Sequence, residues 1–438
     1  PIFVFNPKGY KVEQYVECEA CFQMPFDYDN KNETLIDIYD QNGNRIPTQT
    51  IKEDANISQQ FRKRFIFKTD LNTLGITRFT AKYHTRDKKE KNYTYGNDIN
   101  FDNGSMQVFI SKETGLIEKL VIDGIQYNDG PIFEPEMWQD YEDPWGMKYP
   151  YVGWDPIKFK HIKNPRGVFE NLKTMEIVED GDIYLGVETF FECEDSLVRI
   201  LYKLFKKDNI IDAVVDVYPN NINKCYKLRM PLKGTDFAGE QMFGYEKLFT
   251  NGNECVAHDY LALKQEGDKY LQIITPDTYG SSYKDGAINI SLMRSATYCA
   301  HPVPWGPLVE PNRYLNKVDS GKRTFNFRIQ LAKETELKRN ADLFIEKPYG
   351  LNIFPTVEKL VGKEANFNIS NDAIHLVTIK KADMCEGYII RLENNASEKV
   401  MVDVSIFNES INLQFGKYEV KTLVYNNGVL KEIKELLI

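Results

Sequence analysis

Most of the chain consists of short runs in which apolar and polar residues alternate, separated by turns rich in Asn, Gly and Asp. A period of two is typical of half-buried β-strands. One stretch differs, because Leu337, Ala341 and Phe344 recur at helical spacing ahead of Pro348. This spacing predicts a helix within residues 333–348 that stops at the proline. The pattern as a whole predicts an all-β protein with one helix.

The clearest turn signal is Lys284-Asp285-Gly286, which lies between two alternating runs. Both positions of an Asp-Gly turn tolerate positive φ, so this sequence predicts a tight β-hairpin. The second strand of the hairpin reads AINISLM and ends at Arg294. This places a guanidinium at a loop-lined rim, where β-proteins often carry binding groups. A strand-capping arginine held in a salt bridge is the alternative interpretation.

The lengths of the predicted strands divide the 438 residues into three blocks. Residues 1–97 read as a small β-sandwich that ends near a charged run at 86–91, interpreted as a solvated loop or linker. Residues 98–345 contain longer and more numerous strands, which indicates two large stacked sheets, since one open sheet of that width would curl or split. Residues 346–438 return to short strands and predict a second small sandwich.

Composition excludes several classes of protein. A formal charge of −9 and a pI near 5.4 argue against a nucleic-acid partner, which would need a basic surface. No window approaches the apolar length of a membrane span, and no signal segment opens the chain. The chain begins with Pro, so we expect a fragment or a processed product. The seven dispersed cysteines predict buried free thiols in a reducing compartment, with Cys18 and Cys21 on opposite faces of one strand.

Motifs of familiar catalytic sites are missing from the sequence, which has no G-x-S-x-G, no glycine-rich phosphate loop and no H-E-x-x-H. The adjacent pair His258-Asp259 could suggest a metal ligand set. We predict, however, that it lies on a strand and that its side chains point to opposite faces, so no metal site is expected there.

The most unusual stretch is 134–154, EPEMWQDYEDPWGMKYPYVGW, which holds three of the four tryptophans together with several tyrosines and carboxylates. Aromatic rings stack on the C–H face of a pyranose and carboxylates accept hydrogen bonds from its hydroxyls, so this composition suits a sugar site. The alternative is a proline-pinned loop whose aromatic side chains close the edge of the large sandwich. Sequence spacing does not establish a glycosidase carboxylate pair from Asp140 and Asp143.

A set of short motifs, in order, resembles the non-catalytic half of family 38 α-mannosidases of the bacterial type. The motifs are FNP near the start, NG-M-V-I-x-x-x-TG-I-x-x-L at 103–120, W-x-D-Y-E-D-P-W at 138–145, MFGYEK at 242–247, the DG-x-I-x-I-SLMRS run that ends at 295, TFNFRI at 324–329, NADLFIEKP at 340–348 and YIIRLENN at 388–395. The resemblance covers nearly the whole chain.

This resemblance implies a large antiparallel super-β-sandwich of the galactose-mutarotase-like kind, flanked by two smaller sandwiches. It also implies a part in the hydrolysis of α-mannosidic bonds. The family carries its nucleophilic Asp and most of its zinc ligands in an N-terminal domain that this chain lacks. We therefore expect no catalytic residue, no metal and no turnover in the isolated chain. The implied partners are an α-mannoside oligosaccharide and the protein's own N-terminal catalytic and helical domains, in the cytoplasm, with homo-oligomerisation also compatible.

By the same resemblance, Arg294 matches an arginine close to the family's active site, and the loop from Trp138 to Trp145 matches a segment near the pocket mouth. The candidate substrate-binding residues are Arg294, Trp138, Asp140, Tyr141, Asp143 and Trp145. The loop reads WQDYEDPWG here, whereas relatives read closer to W-D-A-W-D. Tyr141 is a candidate for the tyrosine found near the metal in eukaryotic relatives.

Two other functions remain compatible with the sequence. The first is a free-standing carbohydrate-binding or structural β-protein, because super-sandwiches also occur in polysaccharide lyases and sugar mutarotases. The second is an epimerase-like catalyst that uses Asp143 or Glu136 with His301.

Overall fold

The computed structural model describes residues 1–24, 27–28, 31–55, 57, 59–88, 97–141, 151–165, 174–242, 244–297, 312–354, 362–363, 365–383 and 386–433. Within them the chain is almost entirely antiparallel β-structure arranged around a large central core and smaller cores at either end. The predicted all-β class is confirmed. No helix in this part of the chain is long and apolar enough to cross a lipid bilayer.

Two sheets enclose the core nearest the start of the chain, which is built from side chains such as Val16, Phe65 and Phe79. Alternate residues of the strand Val12–Cys21 are buried, among them Val16, Cys18 and Ala20. In spatial order, one sheet comprises Tyr349–Asn352, Ile2–Phe5, Ile76–Asp87, Asn32–Tyr39 and Arg45–Ile46, and the other comprises Val12–Cys21, Arg62–Leu71 and Thr48–Ile51.

The strand Tyr349–Asn352 belongs to this first sheet, although the sequence analysis assigned residues from 346 onward to the last sandwich. It pairs antiparallel with Ile2–Phe5, with Val4 opposite Gly350. Gly350 is needed there because a Cβ would approach the Cβ of Cys18 to 3.0 Å. The start of the charged run at 86–91 also differs from expectation, since Arg86 and Asp87 end the long strand Ile76–Asp87, while residues 89–91 lie outside the described residues.

Three sheets build the large sandwich. In spatial order, the ten-stranded sheet runs Lys160–Ile162, Tyr184–Cys193, Ser196–Phe205, Ile210–Tyr218, Arg323–Lys333, Lys269–Ile274, Tyr260–Lys264, Thr235–Gln241 and Gly244–Lys247, with Met175–Asp180 also paired to Tyr184–Cys193. The six-stranded sheet runs Trp154–Lys158, Glu134–Gln139, Lys224–Met230, Ala287–Arg294, Gly280–Lys284 and Cys255–Val256. The four-stranded sheet runs Ile125–Gln126, Ile117–Ile122, Met106–Ile110 and Ile99–Asp102.

Inward-facing side chains of all three sheets merge into one core. The ring of Phe133 lies 5.9 Å from the rings of both Tyr202 and Phe327, which links the loop before the six-stranded sheet to two strands of the ten-stranded sheet. Met137 and Tyr226 point into the same core from neighbouring strands of the six-stranded sheet. The predicted super-β-sandwich is therefore confirmed, and the opposite face of the six-stranded sheet carries polar side chains.

The predicted hairpin is present. Gly280–Lys284 and Ala287–Arg294 pair antiparallel with Lys284 opposite Ala287, so the turn has two residues. Asp285 has a φ of 49° and Gly286 has a φ of 76°, as a type I′ turn requires. The second strand then runs along the centre of the six-stranded sheet and ends at Arg294.

The predicted helix is also present, as a 3-10 turn at Glu334–Glu336 followed by an α-helix at Leu337–Ile345. Its buried side chains are Leu337, Ala341 and Phe344, the three that the spacing indicated. They pack with Tyr260 and Ala262 of the ten-stranded sheet, so the helix covers the outer face of the large sandwich.

The last sandwich has its own core, which includes Phe367, Leu392 and Phe415. Its sheets comprise Phe367–Ile369, Val400–Ile406 and Glu409–Phe415 on one side, and Ile374–Lys381, Tyr388–Asn394, Val420–Asn426 and Val429–Ile433 on the other.

The described cysteines form no disulfide. Cys18 is buried and Cys21 is exposed on the strand Val12–Cys21, so they do point to opposite sides of it. The expectation that the thiols are buried holds for Cys18, Cys193, Cys225 and Cys255 and is wrong for Cys21, which stands at the strand end.

Candidate functional site

Arg294 and Asp140, 154 residues apart in sequence, form a two-point ion pair. Arg294 Nε donates to Asp140 Oδ2 at 2.5 Å and Nη2 donates to Oδ1 at 3.0 Å. Asp140 follows the strand Glu134–Gln139, and the strand Lys224–Met230 lies between it and the strand that ends at Arg294. The Asp140 side chain is 0% exposed and that of Arg294 is 19% exposed. The structure thus joins two of the predicted site residues at one end of the six-stranded sheet.

Neighbouring backbone groups fix the carboxylate of this pair. The Asp140 amide donates to the carbonyl of Asn223 at 2.9 Å, and the Tyr141 amide donates to Asp140 Oδ1 at 2.8 Å. Burial lowers the pKa of Arg294, but the hydrogen bond and charge of Asp140 outweigh it and raise that pKa above its ordinary value. Arg294 is therefore permanently charged and rigidly oriented.

Trp138 lies beside the pair on the same face of the sheet. Its Nε1 donates to Glu136 Oε2 at 3.0 Å, and the Lys227 ammonium stands 5.1 Å from its ring centroid, within range of a cation–π interaction. Burial raises the pKa of Glu136, as does the charge of Glu134, while the Trp138 hydrogen bond acts in the opposite direction. This indole is therefore held in one orientation by a carboxylate and an ammonium group.

Lys227 also lies on the polar face of the six-stranded sheet, between Trp138 and Glu254. Its Nζ donates to Glu254 Oε2 at 3.0 Å, and the Ser291 hydroxyl donates to the other oxygen of Glu254. The Lys227 side chain is 2% exposed, so its charge is balanced within the protein. Lys227 and Glu254 could not be singled out from the sequence, because neither lies in an aromatic or motif-bearing stretch.

Cys225 lies on the strand Lys224–Met230, between the strand that carries Trp138 and the strand that ends at Arg294. It pairs in register with Trp138 on one side and with Arg294 on the other. Burial raises the pKa of the Cys225 thiol to about 12, so the thiol stays protonated at neutral pH. It therefore fills space between the two site residues and is not a nucleophile.

Tyr141 packs against a second tryptophan of the same stretch. The ring centroids of Tyr141 and Trp154 are 5.0 Å apart, and Trp154 pairs with Gln139 at the edge of the six-stranded sheet. Aromatic side chains therefore flank the ion pair. Two predicted site residues, Asp143 and Trp145, lie outside the described residues, as does His301.

His258 and Asp259 do not lie on a strand, contrary to the prediction. They form a bend between Cys255–Val256 and Tyr260–Lys264, where the sheet pairing changes. His258 Nδ1 is 3.8 Å from Asp259 Oδ1. In the part of the chain that the structure describes, no group of three His, Cys, Asp or Glu side chains is placed to share a metal ion.

Arg294, Trp138 and Tyr141 are partly exposed and form a surface with a fixed charge and aromatic faces, and the buried Asp140 holds Arg294 from beneath. Such groups can bind and orient a polyhydroxylated ligand. The Cys225 thiol is protonated, and the Asp140 carboxylate is engaged by Arg294 and by the Tyr141 amide, so neither group is available as a nucleophile. The arrangement therefore suits binding and positioning.

Comparison with known proteins gives a family and a set of related folds. Residues 101–306 match the family described as glycosyl hydrolases family 38 C-terminal domain. No curated protein sequence matches the chain. Among solved structures, a family 38 glycosyl hydrolase from Enterococcus faecalis aligns with a TM-score of 0.68 at 12% identity, over 97% of this chain and 58% of that one.

Two further structures are similar. An α-mannosidase from Enterococcus faecalis V583 aligns with a TM-score of 0.65 at 12% identity, over 97% of this chain and 56% of its own. A putative aldose 1-epimerase from Escherichia coli K12 aligns with a TM-score of 0.32 at 10% identity, over 55% of this chain and 99% of its own. The chain thus spans little more than half the length of the two Enterococcus proteins.

The matched region, 101–306, includes the whole six-stranded sheet and the Arg294–Asp140 pair. The predicted resemblance is confirmed over this region, since residues 101–306 match the family described as the C-terminal domain of glycosyl hydrolases family 38.

Proposed function

We propose that this chain is the non-catalytic β half of an α-mannosidase and that it contributes one wall of the substrate pocket. The observation that carries the proposal is the match of residues 101–306 to the family 38 C-terminal domain. The fold likeness to an α-mannosidase that is considerably longer than this chain supports it. Hydrolysis would then depend on a separate catalytic domain, which would also hold the zinc ion.

The proposed substrate-binding residues are Arg294, Trp138, Asp140, Tyr141, Asp143 and Trp145, of which the buried Asp140 acts through Arg294. The two-point ion pair supports this role, because it holds a charged group at the end of a sheet with little freedom to move. A preorganised group binds a ligand without the entropy cost of ordering it. In this proposal Asp140 positions Arg294, and the aromatic rings offer their faces to sugar C–H groups.

The experiment that tests the proposal is hydrolysis of an aryl α-mannoside by this chain, with and without added zinc, beside a longer protein that carries the catalytic domain upstream. Activity only in the longer protein supports the proposal. Turnover by this chain alone overturns it and favours a catalyst that uses its own carboxylates. No activity in either protein favours a carbohydrate-binding or structural role.

Arg294→Lys in the longer protein tests the pocket role separately. Lysine keeps the charge but loses the planar fork that matches a carboxylate. We expect kcat/KM to fall by about tenfold or more, that is, by at least about 1.4 kcal/mol. Arg229→Lys is the matched control, because Arg229 lies on the same face of the sheet and makes only a 3.7 Å contact with Glu134. Equal activity of the two variants would rule out a special role for Arg294.

The cellular setting follows from the same proposal. We place the enzyme in the cytoplasm, where thiols stay reduced, and the free state of the described cysteines supports this location. Its partners would be an α-mannoside oligosaccharide and the catalytic and helical domains of the same enzyme. Homo-oligomerisation stays a prediction.

A further inference from the structure

Three aromatic side chains meet at one end of the last sandwich. Tyr388, Phe407 and Tyr425 form this aromatic cluster, and none of them is a candidate substrate-binding residue. The ring centroid of Phe407 lies 5.0 Å from that of Tyr425 and 6.2 Å from that of Tyr388. The cluster lies in a different sandwich from the Arg294 surface and shares no strand with it.

Both sheets of the last sandwich contribute to the aromatic cluster. Tyr388 and Tyr425 lie directly opposite each other on paired strands of one sheet. Phe407 lies in the two-residue turn between the strands Val400–Ile406 and Glu409–Phe415 of the other sheet. The cluster therefore spans the gap between the two sheets at the end of the sandwich.

The rings of the aromatic cluster are open to solvent. Tyr388 and Phe407 are each 43% exposed, and Tyr425 is partly buried against the core of the sandwich. The Phe407 ring is tilted by 53° to that of Tyr425 and by 52° to that of Tyr388, so the three rings form a shallow cradle and not a flat stack. Rings that served only to close the end of the core would be buried, because aromatic surface stabilises the fold when it leaves water.

The backbone of Phe407 has a conformation that is unusual for an aromatic residue. Its φ is 54°, in the left-handed region that Gly and Asn adopt at lower cost than a bulky residue does. The neighbouring hairpin at the same end of the sandwich has Asn427 and Gly428 at its turn, both with positive φ. Strain of this kind persists only where the surrounding structure enforces it, and it is found most often at binding and catalytic sites. A strained phenylalanine with an exposed ring therefore favours a binding role.

Asn366 holds Phe407 in this conformation. The Phe407 amide donates to the carbonyl of Asn366 at 2.6 Å, and Asn366 Nδ2 donates to the carbonyl of Phe407 at 2.5 Å. Both backbone polar groups of Phe407 are thus engaged, so its ring projects from a fixed point. A fixed ring loses little conformational entropy when a ligand stacks on it.

Polar groups that suit hydroxyls lie beside the aromatic cluster in the sequence. Asn408 and Asn427 are exposed, and they follow Phe407 and Tyr425 by one and two residues respectively. A side-chain amide both donates and accepts hydrogen bonds, as sugar hydroxyls do. Aromatic faces next to amide groups suit a pyranose, since the rings contact its C–H groups and the amides contact its hydroxyls.

The exposed area of the cluster distinguishes a sugar from a protein partner. An aromatic side chain has roughly 150–250 Å² of surface, so an exposure of 43% leaves about 100 Å² on each of Tyr388 and Phe407. A stable protein interface takes about 800 Å² from each partner. The exposed rings are therefore too small to form a protein interface by themselves, and they are comparable in area with one face of a sugar ring.

We infer that the aromatic cluster binds one uncharged hexopyranose unit of an oligosaccharide, with Phe407 and Tyr388 stacked on the sugar. Asn408 and Asn427 then bond to its hydroxyls. The site is separate from the Arg294 surface, and it would hold a glycan on the protein while the substrate pocket acts on another part of it. This last role rests on the proposed function, whereas the binding site itself rests on the geometry of the cluster.

The test is an NMR titration of this chain with methyl α-D-mannopyranoside and, separately, with methyl α-D-glucopyranoside, in the unaltered protein and in Phe407→Asn. Asparagine tolerates the positive φ of the turn, so the variant should stay folded. We expect a dissociation constant of about 1 mM for at least one of the sugars, weakened by about tenfold or more in the variant. Tyr388→Ala is a second variant that should weaken binding in the same way.

Phe249→Asn is the matched control. Phe249 is 63% exposed and lies in the large sandwich, shortly after the strand Gly244–Lys247. Its replacement removes an exposed ring without touching the aromatic cluster, so binding should not change. Equal loss of binding in Phe249→Asn and Phe407→Asn would overturn the inference. A Phe407→Asn variant that melts at a lower temperature and binds sugar unchanged would also overturn it, because the ring would then only close the core.

Arg294→Lys separates this inference from the proposed function. Sugar binding that survives Arg294→Lys and is lost in Phe407→Asn supports the cluster, and the reverse pattern assigns the sugar to the Arg294 surface and overturns the inference. Absence of binding of either sugar up to about 50 mM also overturns it. If Phe407→Asn then abolishes self-association of the chain, the cluster is an interface between copies. The hydrolysis experiment decides the proposed function in every case.

Discussion

Removal of the Arg294 guanidinium should destabilise the large sandwich more than removal of the Asp140 carboxylate. Arg294→Ala leaves a 0% exposed carboxylate without its cation, and breaking a buried pair in this way costs about 3–5 kcal/mol. The Tyr141 amide still donates to Asp140, so we expect the lower end, about 3 kcal/mol. Asp140→Ala leaves a 19% exposed guanidinium that water reaches, so we expect about 2 kcal/mol.

Guanidinium-induced unfolding followed by tryptophan fluorescence measures these costs. The chain has four tryptophans, and Trp138 and Trp154 lie beside the pair, so the signal reports on the large sandwich. A signal specific to that sandwich is needed because a chain with several cores need not unfold in one step. The double variant should cost about 2 kcal/mol less than the sum of the single variants, since both single variants lose the same Arg294–Asp140 interaction.

Arg323→Ala is the control for this experiment. Arg323 also pairs with an aspartate, Asp319, but their side chains are 42% and 51% exposed, so the loss should stay below about 1 kcal/mol. The reasoning is refuted if the two single variants at the buried pair resemble this control, or if their costs simply add in the double variant.

Three further predictions concern other parts of the fold. Burial raises the pKa of Glu240 from 4.5 to about 7, so between these pH values the folded protein holds a proton that the unfolded chain releases. The free energy of unfolding should therefore fall as pH rises from about 4.5 to 7. Glu240→Gln should remove this part of the pH dependence, as measured by chemical denaturation at a series of pH values. Gly115→Ala should lower Tm more than Gly124→Ala. Both glycines have positive φ, but only at Gly115 would an added Cβ clash with another group, since it would lie 2.5 Å from Nε2 of His161. Equal melting temperatures of the two variants would contradict this. Phe327→Ala should lower the free energy of unfolding by about 3–5 kcal/mol, because the fully buried ring of Phe327 packs on Phe133 in the large core. A loss of less than about 1 kcal/mol in a denaturant titration would show that the core collapses around the gap.

Local signals allowed the helix and the hairpin to be predicted. The helix depends on three apolar residues at helical spacing and a proline, and the hairpin depends on an Asp-Gly turn, so each is encoded within about 16 residues. The all-β class follows for the same reason. The strand Tyr349–Asn352 could not be assigned correctly, because its partner Ile2–Phe5 lies more than 300 residues away in the sequence.

The candidate site was predictable only in part. Aromatic and acidic composition pointed to Trp138, Asp140 and Tyr141, and the hairpin pointed to Arg294. The ion pair between them depends on the register of the intervening strand Lys224–Met230, which no local pattern specifies. Lys227 was missed because a lysine in an alternating strand is usually exposed, and here Glu254 and Trp138 surround it.

The pairing of Tyr349–Asn352 with Ile2–Phe5 has a consequence for the order of events during synthesis. At about 5–20 residues per second, a ribosome needs roughly 13–52 s to travel from residue 87 to residue 349, and during that time the edge of the first strand has no partner. The edge of Ile2–Phe5 therefore stays unpaired in the nascent chain while the large sandwich is synthesised. Unpaired strand edges promote aggregation. The sandwich formed by residues 2–87 is therefore completed late, and its dependence on contacts distant in sequence should make it slow to fold and a substrate for chaperones.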